Sequence, residues 1–290
     1  MARGPDPTAR ARLRRFDAAV AGPFGLTGDD GRPAAAEARA GLRTARAEAR
    51  RQRNLEAILS IARADLEGKV VEEPVDPGWI DRFIAAAADA HAPQPRSVFA
   101  HLLATETMRP GSVSARTLVR LAGMSAADLT RFEKIARFLI NNFVVRLKDS
   151  FFEGHGIDGE DLFYFEESGL IRSGGSNVKH FPTQVDTQFQ THLLYGDRVL
   201  RVTASDPSKR LVIPCYRLTT PGAEIAEAMR LPVANDYITQ IVDLLERRGY
   251  SVSHASILER GDRNTVTRHS RFSEIVSYDR ARASRRRRPR

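Results

Sequence analysis

The chain has 290 residues, 42% of them hydrophobic, enough to bury a sizeable core in one large domain or two modest ones. Its single cysteine, Cys215, excludes an internal disulfide framework and a cysteine-based metal cluster, and suits a reducing, cytoplasmic compartment. The net charge of +9 is unevenly spread: residues 1–53 hold twelve Arg against six Asp and Glu, residues 260–290 eleven against three, and residues 54–259 hold 22 basic against 27 acidic side chains, so the ends are cationic and the body mildly acidic.

Apolar runs such as "FLINNFVV" fall short of the roughly 18 residues a spanning helix needs, so no membrane span is expected. Asp6, Asp17, Asp29 and Asp30 interrupt the Arg-rich start, and no apolar stretch follows, so the segment does not read as a targeting signal.

Residues 1–33 carry Gly and Pro at short intervals and read as an irregular basic segment. Residues 34–150 read as a helical bundle. A long run of helix formers reaches Leu66 and becomes amphipathic only at Leu55, Ile58, Leu59, Ala62 and Leu66. Asp76 and Pro77 supply a cap and a first helical position, with Trp79, Ile80, Phe83 and Ile84 on one face. A helix over 95–108 presents Val98, Phe99, Leu102 and Leu103 and is stopped by "RPGS". Two more follow, the second predicted over 125–147 with Ser125 and Asp128 as a capping box. Five helices with brief connections imply antiparallel neighbours.

Residues 151–260 change texture and read as an α+β region, so the fold class expected is α+β, mainly α. A short helix ends at Gly169. "GDRVLRVTA" and "KRLVIPCYRL", either side of Pro207, are predicted to pair as a hairpin. Thr220 as cap and Pro221 at the first helical position open a further helix, and the last runs from an Asn235 cap to Gly249. Residues 261–290 are expected to be a disordered Arg-rich tail.

The corner "SGLI" followed by "YRLTTPGAEIAEAM" resembles the winged-helix pattern over about residues 125–230, with 46 residues between Ile171 and Leu218 where a simple wing uses far fewer. That resemblance implies Thr219, in place of Thr220, as the cap at the junction after the wing, and a recognition helix at 157–170. This stretch contains Asp158, Glu160, Asp161, Glu166 and Glu167 and no Lys or Arg. Duplex DNA carries about one negative charge per 1.7 Å, so these carboxylates suit protein docking better than groove reading. Over about residues 50–250, "RNLEAILSIA", "DPGWIDRF", "RPGSVSARTLVRL" and "NDYITQIVDLL" resemble a family of conserved bacterial proteins built on a domain of unknown function. The resemblance rests on Asn54, Leu55, Trp79, Phe83, Pro110, Gly111, Ser114 and Leu118, with Phe99 where the family tends to place tryptophan. It implies no catalytic residues.

Little chemistry is written into the remaining motifs, and neither cofactor nor metal is expected. Cys215 lies in an apolar strand pattern and reads as a buried small residue. His155, His180 and His192, with Asp158 and Asp186, lack ligand spacing. "RSGGSN" reads as a turn, and "RPGS" as a helix corner in preference to an anion site built on Arg109. Arg282, Arg285, Arg286, Arg287, Arg288 and Arg290 form a cationic tail suited to weak polyanion binding, including non-specific nucleic acid. The expectation is a non-enzymatic interaction or regulatory protein that docks an unknown protein partner through its folded body. The alternative is a winged-helix DNA-binding regulator whose phosphate contacts come from the N-terminal arginine helix or from the wing with Arg198, Arg201, Lys209 and Arg210; an enzyme has no constellation behind it.

Overall fold

The computed structural model describes residues 15, 36–66, 71–172, 177–260 and 265–274. Contacts divide the chain into two compact units, residues 1–57 and 58–290. Helix α1 (Ala36–Leu66) buries no side chain up to Arg53, as its all-round polar sequence dictates, whereas Ile58 and Ala62 are buried within the second unit.

In the second unit the helices begin where their caps stand. Helix α2 (Pro77–Ala87) is capped by Asp76, whose carboxylate accepts the Trp79 N–H at 2.8 Å. It buries Trp79, Phe83 and Ala87 but leaves Ile84 exposed, a narrower face than predicted. The Trp79 indole stacks on Phe83 and donates to the Val113 carbonyl at 2.9 Å, while Phe83 meets the edge of Phe99 on α3 (Pro93–Met108). Ser114 caps α4 (Ala115–Ala122). The Ser125–Asp128 capping box opens α5 (Ala126–Ala136).

Helix α5 stops eleven residues short of the predicted end at 147. Asn141 adopts φ 51°, and Ile140 and Phe143 exchange backbone hydrogen bonds around it, turning the chain into strand β1 (Phe143–Val145). Phe138, Ile140, Phe143, Val144 and Val145 are all buried. Such an apolar run fits a buried strand as well as a helix, and the Asn-Asn turn with two β-branched residues decides for the strand.

Two short helices, α6 (Asp149–Gly154) and α7 (Gly159–Glu167), lead to the left-handed corner at Gly169 and to β2 (Ile171–Arg172). Strand β6 (Leu211–Leu218) is central to the first sheet, antiparallel to β1 on one side and to β2 and β3 (Val178–Phe181) on the other. The second sheet runs β4 (Phe189–Tyr195), β5 (Arg198–Ala204), β7 (Ser251–Arg260), β8 (Val266–His269), with β9 (Ser273–Glu274) also on β7.

This pairing corrects the expected hairpin. Strands β5 and β6 lie in different sheets; β5 turns at Gly196 onto β4, and its other edge is taken by β7. It also corrects the tail, since β8 and β9 fall within residues 261–290.

Thr219, one residue before the predicted Thr220 cap, caps α8 (Thr220–Ala228), which packs against α3, α4 and α5, so both halves of the sequence share one core. Helix α9 (Asn235–Glu246) follows Ala234 without a side-chain cap, so Asn235 is the first helical residue and not the predicted cap. Its fully buried Tyr237 accepts the Val145 N–H at 2.7 Å, fixing α9 against β1. Burial holds that phenol well above its ordinary value. The architecture is α+β and mainly helical, and no helix among the described residues is long and apolar enough to cross a membrane.

Candidate functional site

The corner after α3 has the shape of an anion site, with a Pro-Gly turn feeding a helix start. Its donors are already taken. Glu106, 1% exposed, accepts the Gly111 and Val113 N–H groups at 2.7 Å each, one on each carboxylate oxygen. Glu224, on α8, accepts the Ser114 N–H at 2.9 Å and the Thr117 hydroxyl. Burial, with Glu227 and Glu106 nearby, raises the Glu224 pKa against those hydrogen bonds. Two carboxylates from inside the protein thus fill the positions an external anion would need, and the corner is structural.

On α7 the carboxylates divide by face. Asp158 caps the helix by accepting the Asp161 N–H at 2.9 Å. Asp161 is buried and paired with Arg131 and Lys134 of α5. Burial disfavours its ionised form, but hydrogen bonds from those two cations outweigh it and bring its pKa below the ordinary value. Tyr164 donates to Asp128 beneath the Arg131 guanidinium, and Phe165 meets Phe132 edge-on. The opposite face carries Glu160, Phe163 and Glu167, three and four residues apart, all exposed; Phe163 is 63% exposed. The acidic stretch supplied this pattern, but the exposure of Phe163 was not legible without knowing which face α5 covers.

The four cations predicted as phosphate contacts do not all share one face. Arg198 and Arg201, three residues apart on β5, point to opposite faces of the sheet. Arg201 lies over the Phe272 ring, 4.1 Å from its centroid, and donates to the Ser253 hydroxyl. Lys209 donates to the Arg248 and Gly249 carbonyls at 2.8 Å each, closing the C-terminal end of α9. Arg210 is exposed, and its carbonyl accepts the Tyr250 hydroxyl. The tail residues Arg282, Arg285, Arg286, Arg287, Arg288 and Arg290 lie outside the described residues, as does most of "RSGGSN".

Cys215 is buried in β6, and burial pushes its thiol up despite the pull of Arg217 and Lys179. The histidines are dispersed: His155 pairs with Asp236, His180 sits on β3, and His192 meets the Gln184 side chain at 2.6 Å. Among the described residues no three His, Cys, Asp or Glu side chains gather as metal ligands.

A cleft of about 510 Å³ opens where α4, β2, β6 and the start of α8 meet, and its walls include Arg116, Arg172 and Arg217. Sequence order gives no sign of it, because Arg172 and Arg217 become neighbours only through the β2–β6 register.

Residues 38–146 match the model of the family described as Protein of unknown function (DUF2806). The match runs from α1 to just past β1. It contains the 109–114 corner but neither α7 nor the two strand arginines of the cleft. No curated protein and no solved structure matches the chain.

Proposed function

We propose that this is a non-enzymatic interaction protein whose partner docks on the outer face of α7, with weak polyanion binding by the Arg-rich end of the chain. The observation that carries this reading is the Glu160–Phe163–Glu167 stripe. An aromatic side chain left in solvent between two carboxylates, on a helix whose buried carboxylate is already neutralised, is an anchor with an acidic rim. It favours a basic protein surface with an apolar pocket, and it opposes the approach of a DNA backbone.

A photo-crosslinking residue at position 163, in the full chain and in its native host, tests the docking. One dominant protein adduct, lost on Glu160→Lys with Glu167→Lys, is expected. Adducts spread over many proteins and indifferent to the charge reversal overturn it.

A second reading, a winged-helix DNA-binding regulator, draws support from element order. Helix α5 leads into β1, helices α6 and α7 lie between β1 and β2, β6 is the middle strand, and Gly169 makes the left-handed corner. A specific operator complex that tolerates removal of residues 281–290 would favour this reading over the first.

A further inference from the structure

Arg172 of β2 and Arg217 of β6 are directly opposite across an antiparallel ladder, where like charges oppose strand pairing. Both are exposed, and neither makes an ion pair among the described residues. Arg116, in the first turn of α4, borders the same cleft and likewise has no ion-pair partner among the described residues. Three arginines thus line one recess, two of them as a like-charge pair fixed by the strand register and none of them ion-paired to a carboxylate among the described residues. We propose that this cleft binds the phosphate group of a small phosphate ester, held by Arg116, Arg172 and Arg217.

The planar guanidinium fork matches phosphate oxygens two at a time, and three forks can address a tetrahedral anion from different sides. A volume of about 510 Å³ is within the range that accommodates a small organic ligand, so a phosphate can enter with an organic body attached. The body is constrained by what else lines the walls. Asn142 and Thr220 offer neutral hydrogen-bonding groups, and Glu224 and Glu227 are acceptors. One oxygen of Glu224 is occupied by the Thr117 hydroxyl and the Ser114 N–H. Two carboxylates on the same walls favour a ligand whose body carries hydroxyl or amine donors, and they oppose one that is anionic along its whole length, such as a nucleic acid strand. The site is therefore distinct from any polyanion binding by the tail, and it does not depend on docking at α7.

The test uses the full chain and its Arg172→Gln/Arg217→Gln variant at constant ionic strength, with inorganic phosphate, ribose 5-phosphate and a ten-residue oligouridylate as probes and chloride as control. Ribose 5-phosphate should bind the wild type saturably in calorimetry and raise its Tm, with phosphate weaker and chloride inert. The variant should lose at least tenfold in affinity for the ester and keep its affinity for the oligonucleotide. Without ligand the variant should be no less stable than the wild type, because the like-charge pair is gone. Equal ester affinity in both proteins, no ester binding by either, or a loss confined to the oligonucleotide each overturns the proposal. If the double variant is poorly folded, Arg116→Gln, outside the strand pair, decides: it should weaken ester binding several-fold, and unchanged binding refutes the site.

Discussion

The 109–114 corner and helix α7 are both places where carboxylates stand beside a helix start, and they use them in opposite ways. At the corner, Glu106 turns inward and its two oxygens accept two N–H groups of the turn, one of them on the buried Val113. On α7, Asp158 and Asp161 are engaged with the helix start and with α5, while Glu160 and Glu167 remain in water on either side of Phe163. The same side-chain type is scaffold in one place and available charge in the other. What decides is whether a donor lies within reach on the protein side.

Removing the inward carboxylate should do the most damage. Glu106→Ala leaves the Gly111 and Val113 N–H groups without their acceptor, and a loss of about 3 kcal/mol or more is expected, read from chemical denaturation midpoints at unchanged m. A loss below about 1 kcal/mol would mean that water replaces Glu106 readily and that the corner is open to anions after all. Asp161→Asn should be milder, about 1–2 kcal/mol, because Arg131 and Lys134 are 35% and 40% exposed and solvent screens part of the pairing.

The sign of the pH effect follows from the lowered pKa of Asp161. Its folded value lies below the unfolded one, so its contribution is complete above the ordinary aspartate value of about 4 and is lost as pH falls through the folded value. Asp128, also lowered, by its bonds from Tyr164 and from Ser125, adds in the same direction. In acid titration Asp161→Asn should therefore approach the wild type, with the stability gap closing below pH 4. A gap that stays constant to low pH would assign the loss to packing rather than charge. The outward pair should matter least to the fold: Glu160→Gln with Glu167→Gln is expected to stay within about 0.5 kcal/mol of wild type while lowering the crosslinking yield at position 163.

Local signals in the sequence were reliable where the chemistry is local. Asp76 and the Ser125–Asp128 box cap the helices they precede, the cap expected at Thr220 falls one residue earlier at Thr219, and Gly169 takes the positive φ that its corner needs. Strand pairing was not legible in the same way. β5 and β6 look like a hairpin because they are adjacent and β-rich, yet β5 finds its second neighbour in β7, some fifty residues further on, through pairs such as Val202 with Val252. The helix extended to 147 failed for a related reason: Val144 and Val145 have an apolar pattern that either period accepts, and the pairing with β6 settles it. The cleft arginines depended on that same non-local register, whereas the acidity of α7 was visible from composition alone.

At the start of α8, Gly222 lies so close to the Leu170 carbonyl that any side chain there would collide with backbone. Thr219 ties the same two segments together, donating its N–H to the Leu170 carbonyl at 3.0 Å and its hydroxyl to the Gly169 carbonyl at 2.7 Å. Backbone clamped on backbone leaves no flexible atom to give way, so the wall bearing Arg172 and the wall bearing Thr220 hold a set spacing. With a ligand in the proposed site, a recess of set spacing would work as a gauge and not as a jaw, refusing what is too wide.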